Sequence, residues 1–141
     1  MSALPQPTDA EIRDLLTRVK TIALVGASNK PHRDSYRVMQ FLQSKGYRVI
    51  PVNPSLAGET LLGETVFAQL ADVPDQIDLV DIFRNSDAAG QITEQAIEVG
   101  AGAVWMQLGV VNEAAARKAT EAGLQVIMDH CPKIEIGRLG L

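Results

Sequence analysis

The sequence has one cysteine, two histidines and few aromatic residues, and it contains no long apolar run. Because Cys131 is the only cysteine, no disulfide can form within the chain, which fits a reducing compartment such as the cytoplasm. So few cysteines and histidines cannot supply the ligands of an ordinary structural zinc site, and we expect no metal. No window approaches the roughly 20 apolar residues of a membrane-spanning helix, so we expect no membrane partner.

Excess positive charge is also missing, since the net charge is −4. We therefore expect no nucleic-acid partner. The N-terminal stretch lacks a basic segment followed by an apolar run, so we expect no signal peptide. The 141 residues, 46% of them hydrophobic, suffice for one globular domain spanning 1–141. Anionic small ligands stay possible, because a local group of backbone N–H donors binds phosphate whatever the net charge.

Short apolar runs bounded by turn residues alternate along the chain with segments of helical spacing. The runs predict strands at 21–25, 47–52, 78–83, 103–106 and 124–128, and a short one near Val66. The predicted helix starts are Thr8, with Glu11 completing a capping box, then Asp34 or Ser35, Ser86 and Asn112. The stretch 55–65 is predicted to be irregular, and no helix is assigned after residue 129.

This alternation of strands and helices predicts βαβ units and a parallel sheet. Right-handed crossovers then favour an α/β, doubly wound, Rossmann-like three-layer sandwich with strand order 3-2-1-4-5-6, in which the short strand near Val66 is the third. Ligands of such folds bind at the carboxyl ends of the strands. The residues expected there are 26–28, 52–54, 83–84, 107–109 and 129–131.

Each of these strand ends has a functional interpretation and a plainer alternative. Gly26 permits a tight turn and close approach of a phosphate, but a glycine turn also ends many strands. Asn53 could contact an adenine or a ribose, or Asn-Pro could simply begin a turn. Taken singly, Arg84 is expected to be a solvated surface charge, and its grouping with Lys30, Arg33 and Arg37 near one crevice strengthens the alternative of a phosphate contact.

Catalytic chemistry has little support in the sequence. Asp78 and Asp81 face opposite sides of a strand and cannot act as a carboxylate pair. Cys131 lies near the expected crevice, yet a small buried thiol is the favoured interpretation. A nicotinamide site would show G-x-G-x-x-G after the first strand and an acid after the second, whereas this chain has one glycine of the three and Asn53.

Six blocks of sequence occur in the order found in the small stand-alone CoA-binding proteins, which this chain resembles from about Ile22 to Glu135. The blocks are IALVGAS (22–28), SYRVMQFL (35–42), GYRVIPVNP (46–54), LVDIFR (79–84), AVWMQLGVVNEAA (103–115) and MDHCPKIE (128–135). These proteins are similar to the CoA-binding domain of the succinyl-CoA synthetase alpha subunit. The resemblance implies a Rossmann-like fold that binds coenzyme A through its ADP part.

The resemblance also implies roles for individual residues. Phosphates would be held by Gly26, Ala27 and Ser28, and the nucleotide would lie along Val52, Asn53 and Pro54. Adenine or phosphate would contact Phe83 and Arg84, and the pantetheine path would border Leu108 and Gly109. The family usually has arginine where this chain has His130. The synthetase's phosphohistidine belongs to a second domain that this chain is too short to contain.

The leading hypothesis is therefore a cytoplasmic module that binds coenzyme A or an acyl-CoA, with no catalytic residue assigned. Two rival hypotheses stay open. One is a nicotinamide-dependent oxidoreductase, and the other is an interaction subunit for a larger acyl-CoA ligase. The sequence does not identify the acyl group or a protein partner.

The strand-2 end distinguishes the first two hypotheses. Because Asn53 stands where a nicotinamide site has an acid for the ribose hydroxyls, the chain should bind CoA more tightly than NAD or NADP. Calorimetric titration with each of the three ligands measures this. Equal or tighter binding of NAD would contradict the CoA hypothesis.

Overall fold

The computed structural model describes residues 6–141. The first five residues, part of the stretch in which we expect no signal peptide, lie outside the described residues. The helices are α1 Asp9–Arg18, α2 Asp34–Ser44, α3 Ser86–Glu98, α4 Glu113–Glu121 and α5 Pro132–Leu139. The strands are β1 Thr21–Val25, β2 Arg48–Val52, β3 Thr60–Leu61, β4 Glu64–Thr65, β5 Leu79–Ile82, β6 Ala103–Met106 and β7 Gln125–Ile127. None of the described helices is long and apolar enough to cross a bilayer.

Five parallel strands form the central sheet in the order β2-β1-β5-β6-β7. Alternate strand residues face opposite layers of helices, since Ile22 and Leu24 pack with α1, α2 and α5, whereas Ala23 and Val25 pack with α3 and α4. Two apolar cores result, one on each face of the sheet. The predicted three-layer α/β sandwich is confirmed.

The predicted third strand exists only as one parallel bridge, between Val52 and Phe67, beside β2. Val66 does not extend it, because its N–H donates to the carbonyl of Glu59 and its own carbonyl accepts from Gly58. These bonds join Val66 to the β3–β4 hairpin, which occupies part of the stretch predicted to be irregular. The predicted order therefore holds, with the outermost strand reduced to a bridge.

Helix starts match the prediction in two cases and differ in two. The capping box of α1 and the Asn112 cap of α4 are present. The cap of α3 is Asn85, whose side chain accepts from the N–H of Ala88, and not Ser86, whose hydroxyl accepts from the N–H of Val111. Helix α2 follows Arg33, and no described side chain caps it. Neither Asp34 nor Ser35 is the cap, because both already lie in its first turn.

Helix α5 was not predicted from the sequence. The sequence marks this helix only at its two ends. Pro132 occupies the first helical position, and Gly140, with φ of 69°, ends the helix in a left-handed conformation. The helix is anchored by Arg138, which pairs with the buried Glu135 in α5 and with Asp9 at the start of α1. It closes the apolar core on the face that also carries α1 and α2.

Gly26 ends β1 in a position that tolerates no side chain. Its φ is 94°, and a Cβ there would lie 2.5 Å from the carbonyl oxygen of Phe83, at the end of the neighbouring strand β5. The N–H of Gly26 donates to the carbonyl of Val52, at the end of β2. The ends of β1, β2 and β5 therefore lie close together because residue 26 has no Cβ.

Substitution of Gly26 should destabilise the fold through this contact, and Gly46 provides a matched control. Gly46 has the same φ of 94°, but a Cβ there would meet no atom within 4 Å. Gly46→Ala should cost about 1 kcal/mol from backbone strain, and Gly26→Ala about 1–3 kcal/mol more from overpacking. Urea denaturation of both variants measures the difference. Equal losses would show that the contact with Phe83 is easily relaxed.

Asp81 is a carboxyl group in the middle of the central strand β5. It is fully buried, and neither of its side-chain oxygens has a hydrogen-bond partner among the described residues. In the sheet register it lies between Leu24 and Trp105. Burial raises the pKa of Asp81 well above its usual value, because the charged form is poorly solvated there. The neutral, protonated acid is therefore the form that the fold favours.

This burial predicts a pH-dependent cost to stability. Because the pKa is raised in the folded chain, the cost is absent below the unfolded pKa of about 4, grows as the pH rises above it, and levels off once the pH passes the raised folded pKa. Asp81→Asn should remove that dependence. The difference in unfolding free energy between variant and wild type should thus increase as the pH is raised above about 4. A difference independent of pH would mean that Asp81 titrates normally.

Candidate functional site

Three cavities adjoin one another at the carboxyl ends of the strands. We call the first the α2 cleft; it has a volume of about 480 Å³ and is lined by residues 26–30, 33–35, 53, 55, 56 and 83. The β2 pocket, of about 290 Å³, is lined by residues 25, 26, 52–54, 68, 69, 84, 91, 92 and 95. The α5 cavity, of about 460 Å³, is lined by residues 34, 37, 38, 83, 84, 107, 108, 110, 131, 133 and 134.

Nine of the ten residues predicted for the site line these cavities. The α2 cleft includes Gly26, Ala27, Ser28, Asn53 and Phe83; the β2 pocket adds Val52, Pro54 and Arg84; and the α5 cavity adds Leu108. Gly109 lines none of the three, and its N–H donates to the carboxylate of Asp129 at 2.7 Å. The structure therefore brings the predicted strand ends together, with Gly109 set to one side.

Asn53 fastens the loop after β1 to the end of β2. Its side-chain nitrogen donates to the carbonyl of Ala27 at 2.7 Å, and its side-chain oxygen accepts from the N–H of Ser55 at 2.8 Å. Both functional groups of the amide are thus engaged within the protein. The side chain shapes the wall between the α2 cleft and the β2 pocket, and it also initiates the turn that follows.

Backbone donors at the α2 cleft fall into two groups. The N–H groups of Gly26 and Ala27 both donate to the carbonyl of Val52, at 3.0 and 3.4 Å. By contrast, the first turn of α2 has no capping side chain among the described residues, and it lines the cleft through Asp34 and Ser35. An uncapped helix start offers N–H donors and the positive end of the helix dipole to an anion.

Lys133 in the α5 cavity has its ammonium group 5.7 Å from the centre of the Phe41 ring. Four other cationic side chains around the cavities have no ion-pair, hydrogen-bond or ring partner among residues 6–141. They are Lys30 and Arg33 in the α2 cleft, Arg37 in the α5 cavity, and Arg84 in both the β2 pocket and the α5 cavity. Elsewhere, most of the cations are paired with carboxylates, for example Arg18, Arg48, Lys118 and Arg138. Positive charge that the protein itself leaves unpaired is thus concentrated at one edge of the sheet.

Among the described residues that line the three cavities, Asp34 is the only one with a carboxylate. It lies in the first turn of α2, where the helix dipole favours a negative charge, and it borders both the α2 cleft and the α5 cavity. The local charge of the site nevertheless stays positive, because five cations, Lys133 among them, line the cavities with this single acid. The sequence pattern had indicated the cations but not Asp34, which was considered only as a helix cap.

His130 and Cys131 follow β7 at the same edge. The ring of His130 is within 2.7 Å of the carbonyl of Met128, and its own carbonyl accepts from the indole N–H of Trp105 at 2.8 Å. Cys131 is buried, as predicted, and lines the α5 cavity.

Lys133 and Ile134 also line this cavity; the sequence analysis missed them because they belong to the unpredicted helix α5. Within residues 6–141, no cluster of His, Cys, Asp and Glu is arranged to hold a metal ion.

Comparison with known proteins gives a consistent picture. The model of a CoA-binding domain family matches residues 20–137. The uncharacterized Bacillus subtilis (strain 168) protein YneT is 39% identical over 131 residues, which are 93% of this chain and 96% of that protein. A hypothetical protein from Pyrococcus horikoshii OT3 is 42% identical, with a TM-score of 0.91 and full coverage of both chains.

A larger enzyme shares the fold over part of its length. The dinucleotide-forming acetyl-coenzyme A synthetase 1 of Ca. Korarchaeum cryptofilum is 25% identical, with a TM-score of 0.65 over 76% of this chain and 25% of that one. The family match covers most of the present chain and includes every strand of the central sheet. The chain therefore belongs to the CoA-binding domain family.

Proposed function

We propose that the chain is a single-domain binding protein for coenzyme A or an acyl-CoA, held along the carboxyl ends of the parallel strands. The observation that carries the proposal is the group of four unpaired cations around the uncapped start of α2. Phosphate groups are the natural counterpart of such a site, because they accept hydrogen bonds and carry negative charge. Coenzyme A is the phosphate-bearing ligand that the family suggests.

The three cavities suit the three parts of this ligand. The α2 cleft offers Ser28, Lys30 and Arg33 to phosphates, beside the turn that begins at Gly26. The β2 pocket, with Val52, Asn53 and Pro54, would take the nucleoside. The α5 cavity has apolar walls that include Leu108 and would take the pantetheine arm. Its connection to the α2 cleft through Phe83 and Asp34 supports one extended ligand.

The proposal assigns no catalytic residue and places the protein in the cytoplasm, where free CoA and a reduced Cys131 are compatible. A nicotinamide-dependent oxidoreductase has less support, because β2 ends in Asn53, whose amide is bonded to Ala27 and Ser55. The acid that would accept from the ribose hydroxyls is missing at that position.

A second candidate function is an interaction subunit for a larger acyl-CoA ligase. The likeness to one quarter of an acetyl-coenzyme A synthetase favours it, since the same fold there belongs to a longer chain. The two candidates differ in what happens to the isolated chain. A binding protein retains CoA by itself, whereas an interaction subunit changes the activity of its ligase.

The role of Arg84 provides the test of the proposed site. An arginine–phosphate contact contributes ~1.5–3 kcal/mol, so Arg84→Ala should weaken CoA binding roughly ten- to a hundredfold. Lys20→Ala is the matched control, because Lys20 is also exposed and without a side-chain partner among the described residues, but lies at the opposite edge of the sheet, just before β1. Calorimetry of CoA binding at low and high salt measures both variants.

The control variant should bind CoA as the wild type does, with the same weakening by salt. The dependence on salt should be smaller in Arg84→Ala, because one charged contact is gone. If the two variants shift the affinity alike, Arg84 is an ordinary solvated arginine and the proposed site is wrong at that strand end.

A further inference from the structure

Two large apolar side chains at the α5 cavity are exposed and do not serve the core. Leu108 is 55% exposed and Ile134 is 52% exposed, and both line the cavity. The buried face of helix α5 is formed by other residues, among them Ile136. We call Leu108 and Ile134 the apolar rim. Single exposed hydrophobic residues are common, but two from distant segments that border one cavity indicate a binding site for an apolar group.

The loop that carries Leu108 is held in place by hydrogen bonds to two other segments. The N–H of Gly109 donates to the carboxylate of Asp129 at 2.7 Å, and the N–H of Val111 donates to the hydroxyl of Ser86 at 3.0 Å. Asp129 has a φ of 59°, a left-handed conformation that costs free energy for a residue with a Cβ. The exposure of Leu108 is therefore a fixed feature of the loop, held at a cost to the free protein.

The apolar rim continues an apolar wall that is connected to the charged part of the site. Val38, Phe83 and Val110 also line the α5 cavity, and Phe83 lines the α2 cleft as well. The volume of the α5 cavity, about 460 Å³, lies within the range of about 300–1,000 Å³ for pockets that bury most of a drug-sized ligand. A ligand that fits the whole crevice thus carries phosphates at one end and hydrocarbon at the other.

We propose that the apolar rim binds the acyl chain of an acyl-CoA thioester, so that the protein prefers acyl-CoA with an apolar acyl group to free CoA. The inference rests on the proposed function, because the CoA part brings the acyl group to the cavity. In such a thioester the acyl carbonyl is bonded to the sulfur at the end of the pantetheine arm. A pantetheine arm in the α5 cavity therefore carries the acyl chain into the same cavity or to its rim.

An alkyl chain suits the apolar rim better than the pantetheine arm itself does. Pantetheine contains amides and a hydroxyl group, which need hydrogen-bond partners when they are removed from water. The side chains of Leu108 and Ile134 have no donor or acceptor to offer. An alkyl chain needs none, and it gains free energy in proportion to the apolar area that it and the rim remove from water. Affinity should therefore rise with the length of the chain as long as the added methylene groups contact the rim.

Calorimetric titration of the full chain with CoA, acetyl-CoA, butyryl-CoA and hexanoyl-CoA tests the inference. We expect the Kd to fall along this series, by about two- to fourfold for each methylene group added beyond acetyl. The preference of each variant is expressed as the ratio of the Kd for CoA to the Kd for hexanoyl-CoA. A change in the binding of the common CoA part cancels in this ratio.

Two substitutions in the rim and a matched control locate the acyl chain. Leu108→Ala and Ile134→Ala should each lower the ratio about threefold or more, because each removes apolar area from the rim. Val111→Ala is the control, since Val111 is 42% exposed and lies in the same loop as Leu108 but lines none of the three cavities. The ratio for this variant should equal that of the wild type.

The outcomes separate this inference from the proposed function. Binding of CoA without a preference for hexanoyl-CoA would overturn the inference and leave the proposed function intact, whereas no binding of CoA or of any thioester would overturn both. A ratio that neither rim substitution lowers, or that Val111→Ala lowers equally, would place the acyl chain elsewhere and overturn the inference. Sedimentation of the wild type and Leu108→Ala completes the test. If the substitution changes the oligomeric state and not the ratio, a second copy of the chain covers the rim, and the inference is wrong.

Discussion

The close approach of β1 and β5 at Gly26 is the constraint on which the rest of the site depends. The missing Cβ lets the end of β1 lie against the carbonyl of Phe83, and the N–H of Gly26 reaches the carbonyl of Val52 on the other side. Strand β1 stands between β2 and β5, where the sheet order reverses, so the connections leave in opposite directions and a crevice opens. Each pair of the three cavities shares a residue of this junction: Gly26, Phe83 or Arg84.

Side chains at that junction are held in place by hydrogen bonds within the protein itself. Asn53 uses both ends of its amide to hold the loop after β1 and the turn after β2. Ser86 makes a comparable link between the segments after β5 and β6, because its hydroxyl accepts from the N–H of Val111. A ligand that enters the crevice therefore meets preformed walls, and little ordering entropy is lost when it binds.

The sequence predicted the sheet well, because strands buried on both faces are continuous apolar runs with little ambiguity. Once the strands were located, nine residues that line the cavities of the candidate site could also be predicted, because the carboxyl ends of parallel strands must meet at one edge of the sheet. It failed where short-range signals compete. Asn85 and Ser86 can both cap a helix, and only the hydrogen bond of Ser86 to the distant Val111 decides between them.

Long-range contacts also explain why α5 and Asp81 escaped prediction. Helix α5 is short, with intrinsic signals only at its ends, and it is held by contacts distant in sequence, among them the packing of Ile136 in the apolar core and the pairing of Arg138 with Asp9. Asp81 lies in an apolar strand and could have faced solvent by the alternation of side chains. The register places it between Leu24 and Trp105, under the helices that cover that face.

Two of the buried polar groups without a partner belong to the central part of the sheet. Asp81 lies within β5 and Gln107 directly follows β6, and both have buried oxygens without a hydrogen-bond partner among the described residues. Buried groups of this kind cost stability, and a core built only for stability would replace them with apolar residues. The cost is offset in part by the packing of two apolar cores on either side of the sheet.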